Sequence, residues 1–266
     1  MNGFSVFQSR LIVTGYIETS TPLRVGAGKS TNATDSDNPV IKDVMGNPII
    51  PGSSLKGAMR SYTEALLRSV KPNDPMMACD IFDPKAKCSC EPSEEEIRAY
   101  HEHGIDDIDV IYMDRLCWAC RLFGSPRMAS RLMIRDLTVA SGFWGGTYLM
   151  RDGVAIDRDT GTAAARRKYD FEAVPASTRF NLTIQMDNLD DTELGLALLV
   201  LRALEKEQIQ LGGARSRGLG WCKLVDAKYK LYTDPVALLL EQDGQTIDAT
   251  DAEYYVKCFL EQVHRA

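Results

Sequence analysis

No run of about 18 consecutive apolar residues occurs in the chain, which excludes a membrane-spanning helix from the reading. The opening MNGFSVFQSR lacks the charged-then-apolar order of a secretory signal, so a cytoplasmic location and no membrane partner are expected. Internal repeats and low-complexity tracts are also missing. VGAGKS, at 25–30, resembles a phosphate-binding loop, but Leu23 stands where that pattern needs glycine and a polar loop with Pro39 follows instead of a helix, so nucleoside triphosphate hydrolysis is rejected. Histidine is scarce: there are three, none near the glycine-rich segments, which leaves imidazole acid–base chemistry without a carrier there.

What is present is core, cysteine and unevenly spread charge. With 266 residues, 44% of them hydrophobic, the chain suffices for one large domain or one domain with insertions. Residues 91–114 carry nine acids and one arginine, and residues 234–266 seven acids and two bases, so a chain of net charge −6 has a basic body with acidic appendages. Such a body is compatible with a polyanionic partner, although acidic tails are common in soluble proteins. Five of the seven cysteines fall between Cys79 and Cys120. In a reducing compartment that clustering reads as metal binding before disulfides.

Hydrophobic patterning predicts a strand over 10–19, a long polar loop over 24–39, and a short strand over 40–50. A helix capped by Ser53 is expected to run to about Ser69 with Leu55, Met59, Tyr62 and Leu66 inward. Residues 71–114 are irregular, with a short helix at 93–103 and no apolar core of their own. Strands follow at 131–139 and 178–186, a helix at 190–206, a strand at WCKLV, and two short helices in the tail. The order β, α, β, β, α, β is that of a ferredoxin-like α+β fold, an antiparallel sheet with two helices on one face.

Two stretches carry candidate chemistry. In IIPGSSLKGAMR, a helix N-terminus offers free N–H groups, Ser53 and Ser54 add hydroxyls, Gly57 removes a side chain, and Lys56 and Arg60 lie one turn apart. Together they suit consecutive phosphates of a nucleic acid; a capped helix with a solvated cationic face is the plainer alternative. In LGGARSRGLGW, glycines including Gly213 alternate with Arg215 and Arg217, a composition that permits close backbone approach to RNA. A tight helix-to-strand turn is the alternative there. Cys117-Trp118-Ala119-Cys120 has zinc-knuckle spacing, and Cys79, Cys88 and Cys90 supply the other half, five candidates for four places on a structural Zn²⁺. His101 and His103 are weaker substitutes.

The segments DNPVIKD, GNPIIPGSSLKGAMR, CRLFGS, SRLMIRDLTV and GGARSRGLGW resemble the RAMP superfamily over almost the whole chain, and more closely the backbone subunit of type III CRISPR interference complexes. The resemblance implies a modified RNA-recognition, ferredoxin-like palm spanning 1–266 as a single domain, with a zinc-binding insertion at 71–120 and a thumb-like hairpin at 142–176. It implies a CRISPR guide RNA and a single-stranded target RNA as partners, together with further backbone copies and other effector subunits. It also implies cleavage of the guide-paired target at six-nucleotide intervals by a loop aspartate. That position is Asp37 in Asp37-Asn38-Pro39-Val40, with Asp35 as its neighbour; Mg²⁺ or Mn²⁺ would assist, or the carboxylate would deprotonate a ribose 2′-OH. Arg166, Arg167 and Lys168 fall in the thumb and suit RNA phosphates, and Phe143 and Trp144 suit a wedge against a base or a place in the local core. The cysteine set resembles the zinc-bearing, type III-D-like branch. A non-catalytic guide-binding subunit is the alternative; a precursor-processing endonuclease is disfavoured by the want of histidine.

Overall fold

The computed structural model describes residues 6–28, 38–156 and 163–265. The strands are β1 (Arg10–Thr19), β2 (Ile49–Ile50), β3 (Leu132–Ile134), β4 (Leu137–Thr138), β5 (Leu149–Ile156), β6 (Ala163–Ala173), β7 (Arg179–Asp187), β8 (Cys222–Tyr232) and β9 (Gln245–Thr246). The helices are α1 (Gly52–Val70), α2 (Glu94–Glu102), α3 (Ile108–Asp114), α4 (Trp118–Phe123), α5 (Asp191–Glu205), α6 (Pro235–Leu239) and α7 (Ala249–Arg265). None is long and apolar enough to cross a membrane among the described residues.

The main sheet runs β3-β7-β1-β8-β9, antiparallel throughout. Its first four strands, with α1 after β1 and α5 after β7, reproduce the expected split βαβ order. Alternation along the strands separates the faces: Leu11, Val13 and Ile17 of β1 and Phe180, Leu182 and Ile184 of β7 are buried together, while Thr14, Asn181, Asp226 and Lys228 look outward. On this open face the guanidinium of Arg179 stacks over Phe143 and Tyr16 and is paired with Glu18 and Asp226. Phe143 is thus held against the sheet, and Trp144 packs on Tyr148 at 4.9 Å between ring centroids, so both aromatics have local partners.

Four expectations shift. Ser53 does not cap α1: the N-cap is Pro51, and the Gly52 N–H is met instead by the Asp136 carboxylate at 2.8 Å. That remote cap also breaks the strand expected over 131–139 into β3 and β4, with Asp136 in the gap. Gly52 is obligatory there, because a β-carbon would lie 2.3 Å from the Ile134 carbonyl oxygen. The buried stripe of α1 continues through Thr63 and Leu67, while Leu66 is half exposed in a cleft shared with α5 and α7. Finally, the cysteine-rich insertion has apolar content after all: Met77, Met113 and Leu116 are buried in the same core as the sheet.

One ion pair lies inside that core. Arg131 bonds Glu193, both nearly inaccessible, and Glu193 also closes the capping box at the start of α5. Burial pushes the Glu193 carboxyl up and the arginine opposes it. Replacing Glu193 by alanine strands a buried guanidinium and is expected to cost about 3–5 kcal/mol, read as a lowered urea midpoint at unchanged m-value.

Candidate RNA interface and metal centre

Of the α1 cations, Lys56 is half-buried, with no ion pair or hydrogen bond among the described residues. Desolvation, and then the Arg60 charge beside it, lower its pKa. An ammonium in that position gains from any anion that arrives. Ser53 is exposed and Ser54 partly so, and a β-carbon on Gly57 would meet open space, so this side of the helix is accessible. Arg60 is placed differently from the expectation that paired it with Lys56. Its guanidinium turns inward to Glu64 at 2.7 Å, to the Gly124 carbonyl at 3.0 Å and to Cys120 Sγ at 3.4 Å. The α1 N-terminus is likewise partly claimed, since Asp136 already takes the leading N–H.

The glycine-rich loop contains a short 3₁₀ turn at Arg215–Arg217. Two of its glycines answer to the chain itself: with φ of +73° and +85°, Gly212 and Gly220 lie where a β-carbon would be 2.1 Å from the carbonyl oxygens of Arg24 and Leu211. The Gly213 N–H is spent on the Arg24 carbonyl at 2.8 Å. Tight packing therefore accounts for Gly212 and Gly220, and the Gly213 N–H is already engaged. Arg215 and Arg217 are exposed, and Arg217 donates to the Tyr169 hydroxyl at 2.5 Å. Arg215 and the 42%-exposed Trp221 border an open groove of about 740 Å³ whose other wall is α1, at Ala58, Ser61 and Tyr62. The two stretches singled out in the sequence meet along this groove.

Arg24, which no pattern marks in the sequence, joins the same neighbourhood. Its guanidinium stacks over Phe171 at 5.3 Å, and its buried Nε has no hydrogen-bond partner. Only the juxtaposition of three distant segments reveals it. Within the 142–176 segment, β5 and β6 pair as an antiparallel hairpin. Arg166, Arg167 and Lys168 belong to β6, with the Lys168 backbone opposite Val154; their side chains lie outside the described residues.

Asp35 and Asp37 also lie outside the described residues. The next residue is fixed: the Asn38 side chain donates to the Asp170 carbonyl at 3.1 Å, the Glu172 N–H to the Asn38 carbonyl at 3.2 Å, and the Ala27 N–H to the Pro39 carbonyl at 3.0 Å. The loop thus ends clamped to β6.

The cysteines converge. The thiols of Cys79, Cys88, Cys117 and Cys120 lie within 4.8 Å of one another, all buried, with Cys79 and Cys120 sulfurs 3.6 Å apart. A tetrahedron of sulfurs about 2.3 Å from a Zn²⁺ has edges near ~3.8 Å, so the spacing and the all-thiol chemistry fit a metal ion. Cys90 stands apart, its sulfur accepting from Arg115 at 3.2 Å. Cys117 caps α4 and accepts from Cys120, Cys79 and their backbone N–H groups, which pulls it toward thiolate. Among the described residues, the only ion-pair contact of the insertion's histidines is a 4.0 Å approach of His101 to Asp106, and neither histidine belongs to the thiol group.

Among known proteins, the chain is 27% identical to the CRISPR system Cms endoribonuclease Csm3 of Methanocaldococcus jannaschii over 231 residues, 83% of this chain and 81% of that one. It is 28% identical to the protein of the same name from Methanothermobacter thermautotrophicus over 249 residues, 90% of this chain and 93% of that one. The sequence model of the RAMP superfamily matches residues 16–223, a stretch that includes α1, the thiol centre, the hairpin, β7 and α5, and the chain belongs to that superfamily.

Proposed function

We propose that the protein is a guide-RNA-binding backbone subunit of a type III CRISPR interference complex, and that it carries the site that cuts the guide-paired target RNA. The whole chain acts as one RAMP domain, with 71–120 as a metal-bearing insertion and 142–176 as a thumb. The observation that carries this reading is the groove between α1 and the glycine-rich loop, with Arg215 on its rim and Lys56, without an ion pair or hydrogen bond among the described residues, two positions before the α1 wall at Ala58. Relatives covering most of the chain are named endoribonucleases, which supports catalysis beside binding.

In this reading Lys56, Arg215, Arg217, Arg24 and the Arg166–Lys168 triplet neutralise phosphates, Ser53 and Ser54 add hydroxyl donors, and Trp221 offers a stacking face. Asp37, next in sequence to the Asn38 that bonds β6, addresses the target strand. Its carboxylate takes up the proton of a ribose 2′-OH or holds a hard divalent ion; Mg²⁺ or Mn²⁺, when bound, would neutralise charge developing on the phosphate. Cys79, Cys88, Cys117 and Cys120 hold a structural Zn²⁺ far from that chemistry in role. Assembled complex is to be incubated with labelled target RNA. Cuts at six-nucleotide spacing support the reading; intact target on a guide-loaded complex favours a purely structural subunit, and cuts in precursor repeat RNA overturn both.

Because Arg60 is engaged elsewhere, Lys56 is the α1 cation expected to contact phosphate. Lys56→Ala should weaken RNA binding for every sequence tested and reduce the log–log salt slope by about 0.7, the share of one single-strand phosphate contact. An unchanged slope in the folded variant would assign Lys56 to a solvated surface.

A further inference from the structure

Arg60, Glu64 and Arg68 are spaced four residues apart on α1 and share one face. Glu64 joins them, bonding Arg60 at 2.7 Å and Arg68 at 3.2 Å. Both arginines then leave the helix for the thiol centre, and they reach opposite halves of it. Arg60 donates to Cys120 Sγ and to the Gly124 carbonyl, at the far end of α4. Arg68 donates to the Cys79 carbonyl at 2.8 Å and to the Ala78 carbonyl at 3.3 Å. Cys79 and Cys120 are 41 residues apart in the chain, and α1 precedes both.

We propose that the Arg60–Glu64–Arg68 ladder is a positioning device for the metal centre, strapping its two halves to α1 and offsetting the charge of its sulfurs. The inference rests on reading the four thiols as a metal site. Four thiolates around a divalent ion carry two excess negative charges, and these sulfurs are almost wholly screened from water. A guanidinium hydrogen-bonded to one sulfur offsets part of that charge where solvent cannot. Partners of this kind fix ligand orientation, and losing one typically costs 10–100-fold in metal affinity. The competing account is an ordinary helix-surface ladder, whose i, i+4 pairs would leave metal affinity untouched.

The test uses the purified full chain loaded with Zn²⁺, titrated against a competing chelator, with alkylation of each cysteine followed by mass spectrometry. Arg60→Met is expected to weaken zinc about 10–100-fold and to make Cys120 the fastest thiol to react. Arg60→Lys should not rescue, because one ammonium cannot replace a fork bonded to carboxylate, carbonyl and sulfur together. Arg68→Met, at a half-exposed position, should accelerate alkylation of Cys79 and carries the test if Arg60→Met does not fold. Lys257→Met, in an exposed i, i+4 pair on α7, is the control and should change neither readout. Native zinc affinity within twofold in both ladder variants overturns the inference alone. A native chain that binds no zinc overturns the metal reading and the inference with it.

Discussion

Asp37→Ala is expected to abolish target cleavage by the assembled complex while guide loading and target binding stay at native levels. The loop that carries Asp37 contains acids, glycines and hydroxyl residues but no histidine, so a carboxylate is its only strong base or hard-metal ligand. Asn38, Pro39 and Val40 are already tied to the hairpin and to the 23–27 segment by the Asn38 amide, the Pro39 carbonyl and the Glu172 carboxylate. Removing a loop carboxylate beside so many backbone bonds should shift stability by no more than about 0.5 kcal/mol. Products of the native enzyme should end in 2′,3′-cyclic phosphate if the ribose hydroxyl attacks, and chelator should stop cleavage if the carboxylate works through a divalent ion. Full cleavage by Asp37→Ala would shift the role to Asp35, two residues back. Loss of target binding in step with cleavage would make Asp37 a binding residue instead.

Much of this architecture was legible in the sequence, and the reasons differ by element. β1, β7 and α5 have unambiguous periods, and their bounds match the expected ones closely because nothing outside them competes for their backbone. The strand after the insertion was misjudged because Asp136 leaves the ladder to cap α1, 84 residues earlier, a tertiary bond with no local signal. The glycine-rich loop was legible as a special conformation. That two of its glycines serve Arg24 and Leu211, not RNA, depends on which carbonyls pass beside them. Spacing placed Arg60 beside Lys56 correctly on the helix; it could not show that Arg60 turns toward Cys120, since the sulfur arrives from 60 residues away. Arg24 carried no signal of any kind until Phe171 was beneath it.

Losing the metal centre should destabilise the whole palm, not just the insertion. The four thiols sit within the core cluster that contains Leu55 and Met59 of α1 and Leu194 and Leu198 of α5, so the centre is continuous with the sheet's own packing. α4, begun by Cys117, packs between α1 and α5. Metal binding to four preassembled thiolates is worth on the order of 10 kcal/mol in small zinc domains, and even a loss of about 4 kcal/mol should lower the melting temperature of a chain this size by roughly 10 °C. Cys117→Ser is therefore expected to lose stoichiometric zinc by elemental analysis and to melt about 10 °C or more below the native protein. Cys90→Ser, whose sulfur accepts from Arg115 and stands outside the thiol group, should retain one zinc per chain and melt within about 2 °C. Because the ligands bind as thiolates, acid displaces the metal. The gap between native and Cys117→Ser proteins should accordingly narrow as pH falls, by loss of stability in the native chain. Equal melting temperatures for Cys117→Ser and the native protein at neutral pH, with zinc in neither, would show that these thiols are core packing and no metal centre.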